Sequence, residues 1–289
     1  MITSARIFRK KIEFLKPALT SRNTFTSRNI FIVQFESAET TSYGECAPLS
    51  FLSIDDLPDY QERLIEVVEQ FVQNSDLGHI PHEYPSMRFG IETAFFGLKN
   101  ERIGEVFEQQ FTKGVPIPIN GLVWMGPIEQ MLEEADRKVQ EGFKAIKFKI
   151  GAHDFERECS MLESFRAKYS SEQIEIRLDA NGAFNLENGI SKLQQLSSFS
   201  IHSVEQPIPA GSWKDMGKIV SNSEIPIALD EELIGVDPFQ KGAELIEVCN
   251  PSYLILKPNL LGGFSVCDKW VDLAATHGIS WWATSALES

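Results

Sequence analysis

The sequence predicts an α/β protein in which a (β/α) TIM-type barrel follows a smaller N-terminal α+β unit, and two observations lead to this fold class. From residue 116 onward, short apolar runs alternate with amphipathic stretches, and the last residues of successive runs are 29, 30, 26, 25, 27 and 28 positions apart. That spacing is the length of one strand and one helix, and parallel strands joined by helical crossovers close into a barrel. Residues 1–115 lack this alternation, so we predict one domain at 1–115 and a barrel domain at 116–289.

The N-terminal unit is predicted to combine strands and helices. Residues 7–14 and 30–35 are β-rich apolar runs. The polar stretch between them, residues 17–29, has no helical periodicity and is predicted as a loop. Residues 55–72 and 86–109 carry apolar side chains at positions i, i+3 and i+4, which is the pattern of amphipathic helices. Strands followed by helices are typical of a small α+β domain.

The barrel domain is predicted to contain at least seven strands. The apolar runs that predict them are residues 116–120, 145–150, 174–179, 201–205, 225–230, 253–257 and 279–285. Amphipathic stretches between the runs, for example residues 129–142 and 155–169, are predicted as helices. Gly142 and Gly278 stand where a helix commonly ends, because glycine adopts the left-handed conformation of a C-terminal cap without strain.

The composition excludes several classes of protein. With 27 Lys and Arg against 41 Asp and Glu, the net charge is −14, which argues against nucleic acid or an anionic membrane as a partner. No apolar run approaches the ~20 residues of a membrane span, and residues 1–16 lack the layout of a signal peptide. The cysteines are far apart and form no CxxC pair, so we expect no disulfide framework and a cytoplasmic location. They are Cys46, Cys159, Cys249 and Cys267.

Acidic side chains end three consecutive predicted strands. Asp179, Glu205 and Asp230 each follow an apolar run, and the carboxyl ends of barrel strands meet at the rim where active sites lie. Three carboxylates without a neighbouring His or Cys form a hard oxygen site, which favours Mg²⁺, with Mn²⁺ as a substitute, over Zn²⁺ or Cu²⁺. A single acidic residue is ordinarily a solvated surface charge, but three at successive strand ends predict a metal site.

Lysines flank these carboxylates on either side. Lys149 ends the predicted strand before Asp179, and Lys257 ends the strand after Asp230. Lys147 lies two residues before Lys149 and therefore shares its face of the strand. An amine near a divalent cation and a second ammonium group gives up its proton more readily, which suits a general base. The alternative is that each lysine only neutralises a neighbouring carboxylate.

Five short motifs at the predicted strand ends resemble those of the enolase superfamily. They are Lys147-Phe148-Lys149, Asp179-Ala180-Asn181-Gly182, Val204-Glu205-Gln206-Pro207, Ala228-Leu229-Asp230-Glu231 and Leu256-Lys257-Pro258. Residues 43–49 and 88–94 are similar to segments of that superfamily's capping domain, so the resemblance covers nearly the whole chain. A lysine after the sixth strand is typical of the muconate lactonizing enzyme subgroup. The resemblance implies a modified (β/α) TIM-type barrel with an N-terminal α+β capping domain.

The resemblance also implies that the barrel domain at 116–289 lacks its C-terminal portion. Members of the superfamily continue after the seventh strand with further helices and an eighth barrel element. An open barrel would expose sheet edges and apolar surface. We therefore expect additional strand and helix sequence after Ser289.

Within the subgroup, residues 119–126 and 284–289 are similar to segments of the o-succinylbenzoate synthases of menaquinone biosynthesis. This resemblance implies an Mg²⁺-dependent lyase that dehydrates a succinyl-hydroxycyclohexadiene-carboxylate to o-succinylbenzoate through an enediolate intermediate. N-acylamino acid racemases, dipeptide epimerases and cycloisomerases share the same lysines and carboxylates, and they remain alternatives.

The resemblance assigns roles to the site residues. Lys149 would be both the base that removes the α-proton and the acid that assists the departure of water. Lys257 would be a cation that stabilises the enediolate, and the three strand-end carboxylates would hold Mg²⁺. The candidates for binding a small anionic carboxylate substrate are Lys147, Asn181, Arg22, Arg28 and Ser285.

The arginines could also have purely structural or surface roles. Arg22 and Arg28 lie in the polar segment that folds over the barrel mouth in this superfamily, and both could equally be solvated surface groups. Arg177 shares the strand of the first carboxylate, where a structural salt bridge is an equal alternative to substrate binding.

Two functions from other classes compete with the lyase. A lysine-dependent aldolase would use Lys149 or Lys257 as a Schiff-base nucleophile, and borohydride trapping would support it, whereas inactivation by EDTA supports the metal-dependent enzyme. A non-catalytic Mg²⁺-binding barrel is the second competitor. A binding role does not require both lysines, which favours an enzyme.

Overall fold

The computed structural model of the chain describes residues 2–19, 24–99 and 106–287. Its N-terminal unit is built on a three-stranded antiparallel sheet. In sheet order the strands are β1 (Ser4–Leu19), β2 (Thr24–Glu36) and β3 (Thr41–Cys46). The prediction of a loop at residues 17–29 is wrong, because both strands extend into that segment and Leu19 pairs with Thr24. Thr and Phe side chains favour strands, and pairing within the hairpin satisfies the backbone groups.

Two helices pack on this sheet, namely α1 (Tyr60–Asn74) and α2 (Pro85–Gly97). The predicted helix at 55–72 starts too early, since the residue before Pro58 is disfavoured from helical conformation. The predicted helix at 86–109 is too long. Phe107 leaves the helical path and packs edge-on against Phe264 of the barrel domain, with 5.0 Å between ring centres.

Strand β3 was not predicted as a strand, because a central glycine is typical of a turn or bulge. Here Gly44 permits close packing: a Cβ atom on it would lie 1.8 Å from the carbonyl oxygen of Gly90 on α2. The pair of glycines lets the sheet and the helix approach at backbone distance.

The barrel domain contains a seven-stranded sheet in which all pairs are parallel and strand order follows chain order. The strands are β4 (Gly121–Val123), β5 (Ala145–Lys149), β6 (Glu175–Asp179), β7 (Ile201–Glu205), β8 (Ile227–Leu229), β9 (Tyr253–Leu256) and β10 (Ser280–Ala283). Six of the predicted strands are confirmed. The first, predicted at 116–120, is misplaced, because Pro116 and Pro118 cannot donate to a ladder and β4 begins only after them.

Helices follow the strands along the barrel domain. They are α3 (Ile128–Gln140), α4 (Phe155–Lys168), α5 (Leu186–Leu196), α6 (Trp213–Ser221), α7 (Gly242–Cys249), α8 (Pro258–Leu261) and α9 (Phe264–His277). Gly142 and Gly278 follow helix ends with φ of 98° and 68°, as predicted. Across the described part of the chain, none of the helices has the length and apolar character that crossing a membrane requires.

Each of the two units has its own hydrophobic core, one formed within residues 2–94 and one within residues 123–274. Glu92 of α2 joins them. Its buried carboxylate accepts hydrogen bonds from the backbone N–H groups of Phe264 and Ser265, the first residues of α9. Gly263 precedes them at φ +96°, and a Cβ on it would lie 2.0 Å from Glu92 Oε2. A helix N-terminus attracts negative charge, so this contact stabilises both the helix and the junction.

Candidate active site

The strand register brings the predicted carboxylates and lysines to one end of the sheet. Lys149 pairs with Asp179, and Asp179 pairs with Glu205. Ala228 pairs with Glu205, and Asp230 lies two residues further on the same face. All three carboxylates are at most 2% exposed. The prediction that these side chains meet is therefore confirmed. Because all three are buried, none of them is a solvated surface charge.

Lysine ammonium groups neutralise the carboxylates within the barrel. Lys147 Nζ lies 2.6 Å from Glu205 Oε2 and 3.0 Å from Asp179 Oδ2, and Lys149 Nζ lies 2.6 Å from the same Asp179 oxygen. Lys257 donates to Asp230 Oδ2. Three positive groups thus face three negative groups, which is why the ensemble can be buried.

Burial and charge shift the protonation of these groups in opposite directions. Although burial disfavours its charged form, the pKa of Lys147 is raised by Asp179 and Glu205. Burial would raise the pKa of Asp179, but Lys147 and Lys149 hold it well below its usual value. Burial and the charge of Asp179 raise the pKa of Glu205. An additional cation nearby would therefore favour the charged form of Glu205.

The donor set fits a divalent cation of the magnesium type. The three carboxylates offer hard oxygen atoms only, which Mg²⁺ prefers. Glu205 Oε1 is buried without a hydrogen-bond partner, and such an atom is costly unless something binds it. Within the described residues, no three acidic, histidine or cysteine side chains are arranged as a ready-made metal site, and a lysine binds one oxygen of each of the three carboxylates. Metal binding by Asp179, Glu205 and Asp230 stays a prediction.

A cleft opens above these groups and is lined by residues of both units. The N-terminal unit contributes Phe25, Leu49, Ser50 and Leu52. The barrel domain contributes Trp124, Met125, Ala286 and Leu287 beside the polar groups Lys149, Asn181, Glu231 and Lys257. The wall is therefore largely apolar, and its charged side chains lie at the strand ends.

The lysines predicted as catalytic both reach this cleft from different strands. Lys149 ends β5, and Lys257 follows β9. The side chain of Lys149 is 14% exposed and that of Lys257 is 11% exposed. Both lysines thus line one cleft, and their catalytic roles stay a prediction.

The predicted substrate-binding residues lie in different places relative to the cleft. Asn181 lines the cleft, whereas Lys147 lies beneath it among the carboxylates. Arg28 is buried and donates to the carbonyl oxygens of Ala47 and Leu287, so it ties the two units together beside the cleft. Ser285 is exposed and is not part of the cleft wall, while Arg22 lies outside the described residues. Substrate binding by these residues stays a prediction.

Arg177 makes the structural contacts that we gave as its alternative. Its Nε donates to Glu175 Oε1 at 2.7 Å, and its guanidinium lies 4.4 Å from the ring centre of Trp282. Glu175 lies on the same strand as Arg177, whereas Trp282 lies on β10, four strands away in the sheet order, so Arg177 reaches across the inside of the barrel.

Several residues of the cleft were not identified from the sequence. Trp124 stands one position beyond β4 and Glu231 two positions beyond β8, and each comes after an apolar run that the sequence shows. Leu49 and Ser50 reach the cleft from a loop of the N-terminal unit. No periodicity marks such loop residues, because their place depends on how the two units meet.

Comparisons with known proteins match this architecture. Residues 130–289 match the family described as enolase C-terminal domain-like, and residues 2–98 match the MenC N-terminal domain. The chain is 36% identical to the o-succinylbenzoate synthase of Desulfotalea psychrophila over 97% of this chain and 85% of that protein. The crystal structure of MenC from Desulfotalea psychrophila superposes with a TM-score of 0.81 and 32% identity, covering 100% of this chain and 87% of that one. The N-succinylamino acid racemase of Thermus thermophilus is 29% identical over 71% of this chain and 54% of that protein.

Proposed function

The chain belongs to the enolase superfamily, and we propose that it is an o-succinylbenzoate synthase, a lyase that dehydrates a succinyl-hydroxycyclohexadiene-carboxylate to o-succinylbenzoate through an enediolate. The observation that carries the proposal is the 36% identity to an o-succinylbenzoate synthase over 97% of the chain. The cleft supports it independently, because an apolar wall suits a six-membered ring, and the lysines suit its carboxylate groups.

In this proposal Lys149 performs the proton transfers. Its amine removes the proton α to the substrate carboxylate, and the same nitrogen then returns a proton to the departing hydroxyl group as water forms. One residue can do both steps because the proton that it takes is the proton that it gives. Its position at the cleft wall supports this role.

Lys257 and the carboxylates supply the electrostatics. The ammonium group of Lys257 faces the cleft from the other side and stabilises the negative charge that develops as the proton leaves. Asp179, Glu205 and Asp230 are the residues that would hold Mg²⁺, or Mn²⁺ in its place. When bound, that cation supplies Lewis acidity toward the substrate carboxylate.

The proposal also includes the charge of the substrate and the cellular location of the enzyme. Its substrate is a small anionic carboxylate, and the net charge of −14 requires that attraction be local, at the lysines of the cleft. All four cysteines are buried and free, which supports a reducing, cytoplasmic setting.

The deciding experiment supplies the cyclohexadiene carboxylate to the purified protein with Mg²⁺ in deuterated water. We expect o-succinylbenzoate to form, as followed by its ultraviolet absorbance, and we expect its formation to stop when EDTA is added. Incorporation of deuterium at the α-carbon without formation of the aromatic product would contradict the synthase and favour a racemase or epimerase. That alternative has its own support in the identity to an N-succinylamino acid racemase.

A further inference from the structure

The ammonium group of Lys149 is held in a defined rotation. Its Nζ lies 2.6 Å from Asp179 Oδ2 and 2.9 Å from Asn181 Oδ1. The ring of Trp124 lies on another side, with its centre 5.8 Å from Nζ. A lysine nitrogen has three positions for a proton or a lone pair besides its bond to carbon. With two of them directed to Asp179 and Asn181, the direction of the third is fixed.

The side-chain amide of Asn181 is oriented by the charges on either side of it. Its Oδ1 accepts from Lys149, and its Nδ2 donates to Glu231 Oε1 at 3.0 Å. The reversed amide would place an N–H group against an ammonium and an oxygen against a carboxylate. Only the observed orientation satisfies both neighbours.

The backbone of Asn181 leaves little other freedom. Its φ is +45°, in the left-handed region that asparagine adopts more readily than most residues. Its N–H donates to Asp179 Oδ1 at 3.0 Å. The position of the residue is thus fixed by the turn after β6, and the remaining variable, the direction of its amide, depends on Glu231.

We infer that Glu231 is a positioning residue for Lys149 and acts through the Asn181 amide. This inference rests on the proposed function, in which Lys149 is the base. A base whose nitrogen is rotated away from the substrate proton loses rate without losing substrate, and displacements of ~1 Å can cost ~10²-fold. Glu231 is 7% exposed and stands directly after Asp230, so its carboxylate is held close to the cleft.

The first test needs no substrate. Reductive methylation of Lys149, followed by peptide mass spectrometry and normalised to the exposed Lys214 of the same digest, reports how firmly the amine is held. We expect Asn181→Ala and Glu231→Ala to raise the Lys149 rate roughly threefold or more, since the first removes an acceptor of the amine and the second removes the carboxylate that orients that acceptor. Glu231→Gln keeps an oxygen that can accept from Asn181 and should keep the wild-type rate. A raised rate in Asn181→Ala with a wild-type rate in Glu231→Ala would overturn the inference.

The second test is a double-mutant cycle on turnover. We expect Glu231→Ala to lower kcat roughly tenfold to a hundredfold with KM within about twofold, and Glu231→Gln to restore most of it. Because the two residues act in series, Asn181→Ala combined with Glu231→Ala should be no slower than Asn181→Ala alone. Multiplied losses, or a rise in KM as large as the fall in kcat, would show that Glu231 acts directly on the substrate and would overturn the inference.

Controls separate this inference from the proposed function. Glu244→Gln removes an exposed carboxylate of α7 and should leave both measurements at their wild-type values. Thermal unfolding of every variant shows whether it is folded. If the wild-type protein forms no o-succinylbenzoate, the proposed function fails, whereas the methylation rates still decide whether Glu231 orients Lys149 through Asn181.

Discussion

Lys147 donates a hydrogen bond to Glu205, with its Nζ 2.6 Å from Glu205 Oε2, and both side chains are buried at the centre of the barrel. The same ammonium lies 3.0 Å from Asp179 Oδ2. The chain therefore carries its own counter-charge for two carboxylates that folding removes from water. Removing one member of such a buried pair leaves the other uncompensated.

We expect Lys147→Met to lower the free energy of unfolding by about 3–5 kcal/mol in EDTA, because it leaves Asp179 and Glu205 buried without that cation. Added Mg²⁺ should recover part of the loss if it binds the carboxylates. Urea unfolding with EDTA and with Mg²⁺ measures both effects.

Lys168 offers a matched control, because it forms an ion pair with Asp136 at 2.5 Å on the surface, with 55% of its side chain exposed. Lys168→Met should cost about 1 kcal/mol or less, with or without Mg²⁺. Equal losses for the two lysines in EDTA would contradict a structural role for the buried one.

The metal prediction is tested apart from turnover. If Asp179, Glu205 and Asp230 bind Mg²⁺, the cation should raise wild-type stability by about 2.7 kcal/mol at a hundredfold excess over its Kd. Asp179→Asn, Glu205→Gln and Asp230→Asn should each remove most of that gain. Calorimetric titration and thermal unfolding measure it. Asp215→Asn, at an exposed helical ion pair, serves as the control. A gain of full size in all three variants would place the metal elsewhere.

The two lysines of the cleft should behave differently. Lys149→Ala should abolish both dehydration and exchange of the α-proton for deuterium, because it removes the base. Lys257→Ala should cost about 3 kcal/mol of transition-state stabilisation, roughly 10²-fold in rate, as with other oxyanion donors. Turnover and deuterium exchange are followed together by NMR.

A racemase gives a different pattern in the same experiment. Each lysine would then serve one stereoisomer, so each variant would keep exchange with one enantiomer of an N-succinyl amino acid. Reciprocal exchange of this kind, without efficient dehydration, would replace the synthase by the racemase.

Asp55 of the N-terminal unit provides a pH prediction. It is fully buried and accepts from the Ser86 N–H and hydroxyl at 2.9 and 2.7 Å, and burial raises its pKa to about 6. The folded protein thus holds a proton that the unfolded chain releases near pH 4. Stability from this group is present below pH 4 and is lost as pH rises to 6, by about 3 kcal/mol.

Asp55→Asn should remove that part of the pH dependence, since a neutral amide keeps an acceptor for Ser86. Urea unfolding at pH 4 and pH 7 should show that the free energy of unfolding of the variant, relative to that of the wild type, is higher at pH 7 than at pH 4. The exposed neighbour Asp56 gives a control, because Asp56→Asn should leave the slope unchanged. Parallel pH curves for wild type and Asp55→Asn would contradict the assignment.

The strand ends could be predicted because a buried parallel strand is an apolar run in the sequence, and the polar residue that ends the run can be identified directly. Lys149, Asp179 and Lys257 all follow this rule. The direction of the Asn181 amide could not be predicted, since it depends on two charges from distant parts of the chain. The strand at residues 24–29 was missed because this largely polar stretch shows neither a helical nor a strand period, and only its pairing with β1 makes it a strand.

We expect Glu92→Ala to lower the free energy of unfolding by about 1–2 kcal/mol, because it leaves the first N–H groups of α9 without an acceptor. Urea unfolding checks the value. Thr93→Ala changes the next residue of α2, whose hydroxyl bonds only within the helix, and should cost less. A loss no greater than that of the Thr93 variant would contradict the capping role.

The contact between Glu92 and α9 also has a consequence for synthesis of the protein. Phe264 follows Glu92 by 172 residues, and at about 5–20 residues per second a ribosome needs roughly 10–30 s to add that stretch. During this interval the nascent N-terminal unit presents a carboxylate and the surrounding face of α2 before their partner exists. Docking of α9 on α2 is therefore a late event in the synthesis of the chain, and the N-terminal unit completes this contact only after most of the barrel domain has been made.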